Sequence, residues 1–157
     1  MDLETQIRLL IDHAPHDGIT PQLITAIAPV LKAIAQKLRY PQYYILQSSK
    51  SDWILTTLSN RANPELEKHV IYAFPTLQDA TLTSSAGLDP QGIATAIPVT
   101  HILFQLVALD PVDSIVFFET PGTTTNAIEI RRFELQKLIQ QQLLHNQSSR
   151  QAPPDIA

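Results

Sequence analysis

The chain has 157 residues, 44% of them hydrophobic, with a formal net charge of −4 and no cysteine. That length fits one domain of roughly 100–200 residues, and the apolar fraction is enough for a core, which excludes intrinsic disorder over most of the chain. The missing cysteines exclude disulfide frameworks, cysteine-based zinc sites, iron–sulfur clusters and thiol nucleophiles, and the mild acidity argues against binding nucleic acid through its phosphates.

The chain opens Met1-Asp2-Leu3-Glu4, acidic where a secretory leader would be basic. No apolar run approaches the roughly 20 residues of a membrane span. The expectation is a cytoplasmic protein with no membrane contact.

Asp2 is placed to cap a short helix over 3–12, with Leu3, Ile7, Leu10 and Ile11 on one face. Pro15-His16-Asp17-Gly18 ends it as a turn. Thr20-Pro21 reads as the start of a second helix, whose apolar face is Leu23, Ile24, Ile27, Val30, Leu31, Ile34 and Leu38. Pro29 lies within that periodicity and predicts a kink or short break near Ala28. Three strand-like runs follow: Tyr43–Gln47, Trp53–Leu58 and Val70–Phe74. Together they hold the only Trp and most of the Tyr residues. Ser48–Asp52 reads as a polar hairpin loop between the first two. Asn60–Lys68 reads as a connection with a turn at Asn63-Pro64 and one helical turn over Pro64–Glu67. Thr76 is placed to cap a short helix.

Residues 81–96 show the least pattern and read as a long loop. A helix over about 98–109 ends at Asp110-Pro111. Ser114–Glu119 is apolar on both faces and reads as a central strand. Pro121-Gly122-Thr123 turns the chain into the alternating strand Ala127–Arg131. A final helix over Phe133–Leu144 buries Leu135, Leu138, Ile139 and Leu143. Asn146–Ala157 has no periodicity and reads as a disordered tail. The prediction is a single α+β domain over 1–145 with a tail over 146–157. Its element order is α-α-β-β-β-α-β-β-α, with helices packed on one face of a five-stranded antiparallel sheet.

Few residue clusters could carry chemistry. Asp12-His13 and His16-Asp17 place metal-type ligands within one turn, but no further ligand accompanies them, so they read as a polar turn and no metal is assigned. His101, in a first helical turn, could serve as a neutral donor or base. The hydroxyl-rich Thr120–Asn126 loop has neither phosphate-binding fingerprint and reads as a hairpin connection. Arg61, at the end of the second strand, could clamp a carboxylate or phosphate. Glu119 stands alone at the end of an apolar strand and lacks a carboxylate partner. No catalytic residue and no cofactor are assigned.

The segments Gln42–Gln47, Trp53–Arg61, Ile71–Ala80 and Val112–Glu119 resemble a small conserved family of uncharacterised cyanobacterial proteins over about residues 1–145. From residue 20 onward the element order is similar to that of type III secretion chaperones and YbjN-like proteins. That resemblance implies a dimeric, non-catalytic protein that binds other polypeptides. The first functional reading is therefore a protein-interaction or assembly module, chaperone-like and homodimeric. The alternative is a small-ligand-binding or sensor domain. Its site would lie between the sheet and the 81–96 loop, with Arg61 or His101 as polar anchors. An enzyme of unrecognised type is the third reading.

Overall fold

The structure is a computed structural model that describes residues 2–48, 50, 52–60, 62–83 and 92–151. Its elements in chain order are α1 (Leu3–Asp12), α2 (Thr20–Lys37), β1 (Gln42–Gln47), β2 (Thr56–Asn60), β3 (Asn63–Phe74), α3 (Leu77–Thr83), β4 (Ile93–Pro98), α4 (Val99–Ala108), β5 (Ser114–Phe118), β6 (Ala127–Arg131) and α5 (Arg132–Gln151).

The helices start where the sequence places caps. The Asp2 carboxylate accepts from Thr5 N at 2.7 Å and opens α1. Asp17, rather than Thr20, caps α2: its carboxylate accepts from Ile19 N, Thr20 N and the Thr20 hydroxyl. These bonds hold Asp17 down to about 2. α2 runs unbroken through Pro29, which lies on its exposed side, while Ile24, Ile27, Leu31 and Ile34 are buried. The burial of that face holds the helix together where the proline removes a hydrogen bond. Thr76 opens α3, accepting from Asp79 N and donating to the Asp79 carboxylate.

The sheet corrects the expected five antiparallel strands. It has six strands, in the order β4-β1-β3-β5-β6, with β2 also paired to β3. β3 and β5 are parallel, with Val70 opposite Ser114, while the other pairs are antiparallel. The connection from β3 to β5 passes through α3, β4 and α4, the kind of long crossover that parallel neighbours require. β4 begins inside the segment read as a loop and runs two residues past it. Its short, alanine-rich run Ile93-Ala94-Thr95-Ala96-Ile97-Pro98 carries little strand signal, and pairing with β1 makes it a strand.

β1 and β2 are not a hairpin. Tyr44 pairs with Phe74 and Thr56 pairs with Val70, so both segments run antiparallel along the same edge of β3. The registers differ by the eight residues 48–55. They form one long strand interrupted by an excursion, which closes on itself through Ser48 N to Asp52 O, Ile54 N to Leu46 O and a Gln47–Trp53 bridge. β3 starts at Asn63, where a turn and a helical turn were expected. Its alternation of Leu66, Lys68, Val70, Tyr72 and Phe74 against Glu65, Glu67 and His69 has the strand period. The first half of β3 pairs only with β2, forming a two-stranded arm beyond the rest of the sheet.

The helices cover both faces of the sheet, not one. Ile7 of α1, Ile27, Leu31 and Ile34 of α2, Ile102, Leu103 and Leu106 of α4, and Leu135 and Ile139 of α5 pack with Tyr43, Ile45, Ile71, Ile115 and Phe117 of the sheet. The opposite face carries Tyr44, Leu46, Tyr72, Phe74, Val116 and Phe118. There the cover among the described residues is Ala80 of α3 and Ile54 of the excursion. α5 continues through Gln151, past the expected boundary at residue 145; residues 152–157 lie outside the described chain.

Candidate functional site

One polar node joining distant elements lies where the end of β5 meets the start of β1. Tyr43 is fully buried, its ring edge-on to Phe117 at 4.9 Å and to Tyr40 at 5.7 Å. Its hydroxyl donates a short hydrogen bond to Oε2 of Glu119. The other oxygen of Glu119 accepts from Arg39 N at 3.0 Å, and the Arg39 guanidinium donates to the Glu119 carbonyl at 3.3 Å. Burial first, and the adjacent Glu119 carboxylate second, push the Tyr43 phenol far above its usual value of 10.0. Tyr43 therefore stays a neutral donor at any physiological pH. Both carboxylate oxygens are engaged, so the node holds the end of α2 to the sheet rather than offering a free base. An open cavity of about 490 Å³ lies beside it, lined by Lys37, Arg39, Glu119, Thr120, Thr125 and Asn126 among others.

A second node pins α1 to α4. Gln6 is fully buried. Its amide donates to the Pro41 carbonyl at 2.8 Å, and its side-chain oxygen accepts from Thr100 N and the Thr100 hydroxyl. The orphan N–H of Thr100 in the first turn of α4 thereby gains a partner from another helix. His101 Nε2 lies 3.0 Å from the Gln6 carbonyl oxygen, to which it donates. Burial holds His101 below its usual value of 6.5; the Gln6 carbonyl opposes this and the nearby His13 adds to it. The unfolded chain takes up that proton first, so the stability linked to His101 is present above pH 6.5 and lost as pH falls through the lower folded value. The melting temperature of the wild type should fall more steeply than that of His101→Gln between pH 7 and about 5.5. Parallel profiles in differential scanning fluorimetry would show that His101 is not held neutral.

A third cluster closes the base of the β2–β3 arm. Glu129 accepts from Lys68 and, at 2.6 Å, from the buried Ser114 hydroxyl, with Arg131 at 3.6 Å. Burial raises the Glu129 carboxyl, but these partners together outweigh it and hold the group below its usual value. His69 N donates to Asp113 across the same junction.

Arg61 lies outside the described residues, as does half of the 81–96 segment that was to form the ligand site with it. His101 points at α1, among the helices of the first face. Asp12 ends α1, while His13, His16 and Asp17 lie in the turn after it, with Asp17 committed to capping α2. Among the described residues no group of three or more His, Asp or Glu is placed to hold a metal ion. No described helix is long and apolar enough to cross a membrane.

The least covered feature is the second sheet face. Tyr72 stacks on Phe118 at 5.5 Å, and Phe74 lies 5.3 Å from Phe118. Phe74 and Phe118 are buried, while Tyr44, Tyr72 and Val116 are half-buried. Register carries the stripe onto the arm: Leu58 opposes Lys68, so Leu58 and Leu66 lie on the same face as Tyr72. These two leucines are 43% and 61% exposed. A cavity of about 380 Å³ opens at the other end, lined by Phe74, Phe118, Leu82, Asp79 and Gly122 among others. Gly122 sits at φ +82, and its N–H donates to Asp79.

No protein-family model matches the chain, and no curated protein matches it.

Sequence reasoning missed Gln6 and the Tyr43–Glu119 pair. Glu119 did carry a signal, as a charge closing an apolar strand, but its partner lies 76 positions away. Gln6 carried none, since one polar residue among the apolar positions of α1 is ordinary.

Proposed function

We propose that the protein is a non-catalytic interaction and assembly module that holds other polypeptides, in the manner of a chaperone, on the second sheet face. The observation that supports this is the apolar surface of half-buried Tyr44, Tyr72 and Val116, continued on the same face beyond the Lys68–Glu129 pair by exposed Leu58 and Leu66. Single exposed leucines are common on soluble proteins, but a stripe along one sheet face is a contact surface. The polar nodes support the same reading, because each is occupied in joining elements. Aromatic side chains suit a contact surface, since they offer large area with little rotamer entropy to lose.

The test is suppression of light scattering by an aggregating client, such as reduced insulin. The wild type should suppress it near equimolar ratio. Leu58→Asp with Leu66→Asp, both at exposed positions, should lose most of that effect while keeping the native melting temperature within a few degrees. No suppression by the wild type, or equal suppression by the variant, overturns the reading. The second reading, a small apolar ligand, is supported by the cavity against Phe74, Phe118 and Leu82. It would show instead as ligand-dependent thermal stabilisation, lost in Leu82→Asp.

A further inference from the structure

A sheet edge left open exposes unpaired N–H and C=O groups, and proteins blunt such edges with charge, bulges or proline. This sheet has three edges to manage. β6 carries Glu129 and Arg131. β2 is polar and has an irregularity at Ser59/Asn60. β4 has no charge along Ile93-Ala94-Thr95-Ala96-Ile97 and reaches a proline only at its last position, Pro98. It ends the strand order, and among the described residues nothing pairs with its outer side.

The β4 sequence is also a palindrome. Ile93-Ala94-Thr95-Ala96-Ile97 reads the same in both directions about Thr95. In an antiparallel pair, residues directly opposite each other share a face. A two-fold axis through Thr95 would place Ile93 opposite the second copy's Ile97, Ala94 opposite its Ala96, and Thr95 opposite its own equivalent. Such a contact is isologous: each residue meets a like residue, and the reverse contact is the same. Ile93 is 62% exposed and Ala96 is exposed, so the side chains that would meet are accessible at both ends. Leu77 of α3, 52% exposed, lines a cavity with Pro98 and Tyr44 beside the same edge. It adds apolar area to a five-residue ladder, which alone would fall short of the roughly 1,200 Å² of a stable interface.

We propose that the free edge of β4 pairs antiparallel with β4 of a second copy of this chain about a two-fold axis at Thr95, joining two six-stranded sheets into one. The proposal goes beyond the client-binding reading, which concerns the face bearing Tyr72. A monomer in solution would leave the light-scattering assay untouched, and a failed client assay would leave the dimer standing.

Sedimentation velocity over a concentration series should show mass rising from 17.5 kDa to twice that value, with a midpoint on the order of 1–100 μM. Ala96→Lys blunts the edge as natural edges are blunted and should weaken association at least about tenfold. Because the chain has no cysteine, Thr95→Cys supplies a second readout independent of that variant's folding. Mild oxidation should convert it to a covalent dimer, while Ala127→Cys on β6 should form no covalent dimer. A wild type that remains monomeric at several hundred micromolar overturns the proposal. So does a dimer unaffected by Ala96→Lys, or one in which Thr95→Cys forms no more disulfide than Ala127→Cys.

Discussion

Phe117→Ala should destabilise the protein by about 4 kcal/mol, lowering the melting temperature by roughly 8–16 °C. Phe117 is fully buried, next to the last residue of β5. Two losses add at this position. Removing a buried aromatic ring forfeits its transfer energy and leaves a cavity that the surrounding structure fills only in part. The ring is also the edge-on neighbour of Tyr43 at 4.9 Å, and Tyr43 is held in place for its hydrogen bond to Glu119. Urea unfolding checks the value, with Leu66→Ala as the control. Leu66 is exposed on the arm and should change stability by no more than about 0.5 kcal/mol. Equal effects at the two positions would mean that the first face of the sheet is not the main core.

Gln6→Ala should cost about 3 kcal/mol, an unusually large effect for a polar side chain in a short helix. The reason lies in what it leaves behind. The Pro41 carbonyl, the Thr100 N–H and the Thr100 hydroxyl all lose their partner within a buried site. An unsatisfied buried polar group costs about 1–3 kcal/mol. Thr100→Val removes one of those stranded groups. The double variant Gln6→Ala with Thr100→Val should therefore be less destabilised than the sum of the single variants, with a coupling of about 1 kcal/mol in a double-mutant cycle. Additive effects would show that Gln6 and Thr100 do not act as one unit. If the loss stays below about 1 kcal/mol, water enters the site and replaces the side chain.

How far a residue's partner lies along the chain decided whether its role was legible. Asp2 and Thr76 bond groups three residues away, so their capping could be read from spacing alone. The apolar face of α2 was legible through Pro29 because helical periodicity is local. β5 was legible as an interior strand because its run is apolar on both faces. The arm of β3 was misread because Asn63-Pro64 is a strong turn signal, while the alternation that follows it is a weaker one. Of the residues singled out for a site, His101 is placed as a tie between α4 and α1.

The sequence by itself determined the helices, the caps at Asp2 and Thr76, the segments able to form the sheet interior, and the absence of any cysteine chemistry. All of these follow from contacts within a few residues or from composition. Tertiary structure alone decided that β1 and β2 are one interrupted strand, that β3 and β5 are parallel, and that β4 is a strand whose outer side is paired by nothing among the described residues. It alone brought Tyr43 to Glu119 and Gln6 to Thr100. Strand pairing and buried polar bonds join residues tens of positions apart. Their energy depends on which backbone and side-chain groups remain unpaired when the whole chain packs, and no local pattern encodes that.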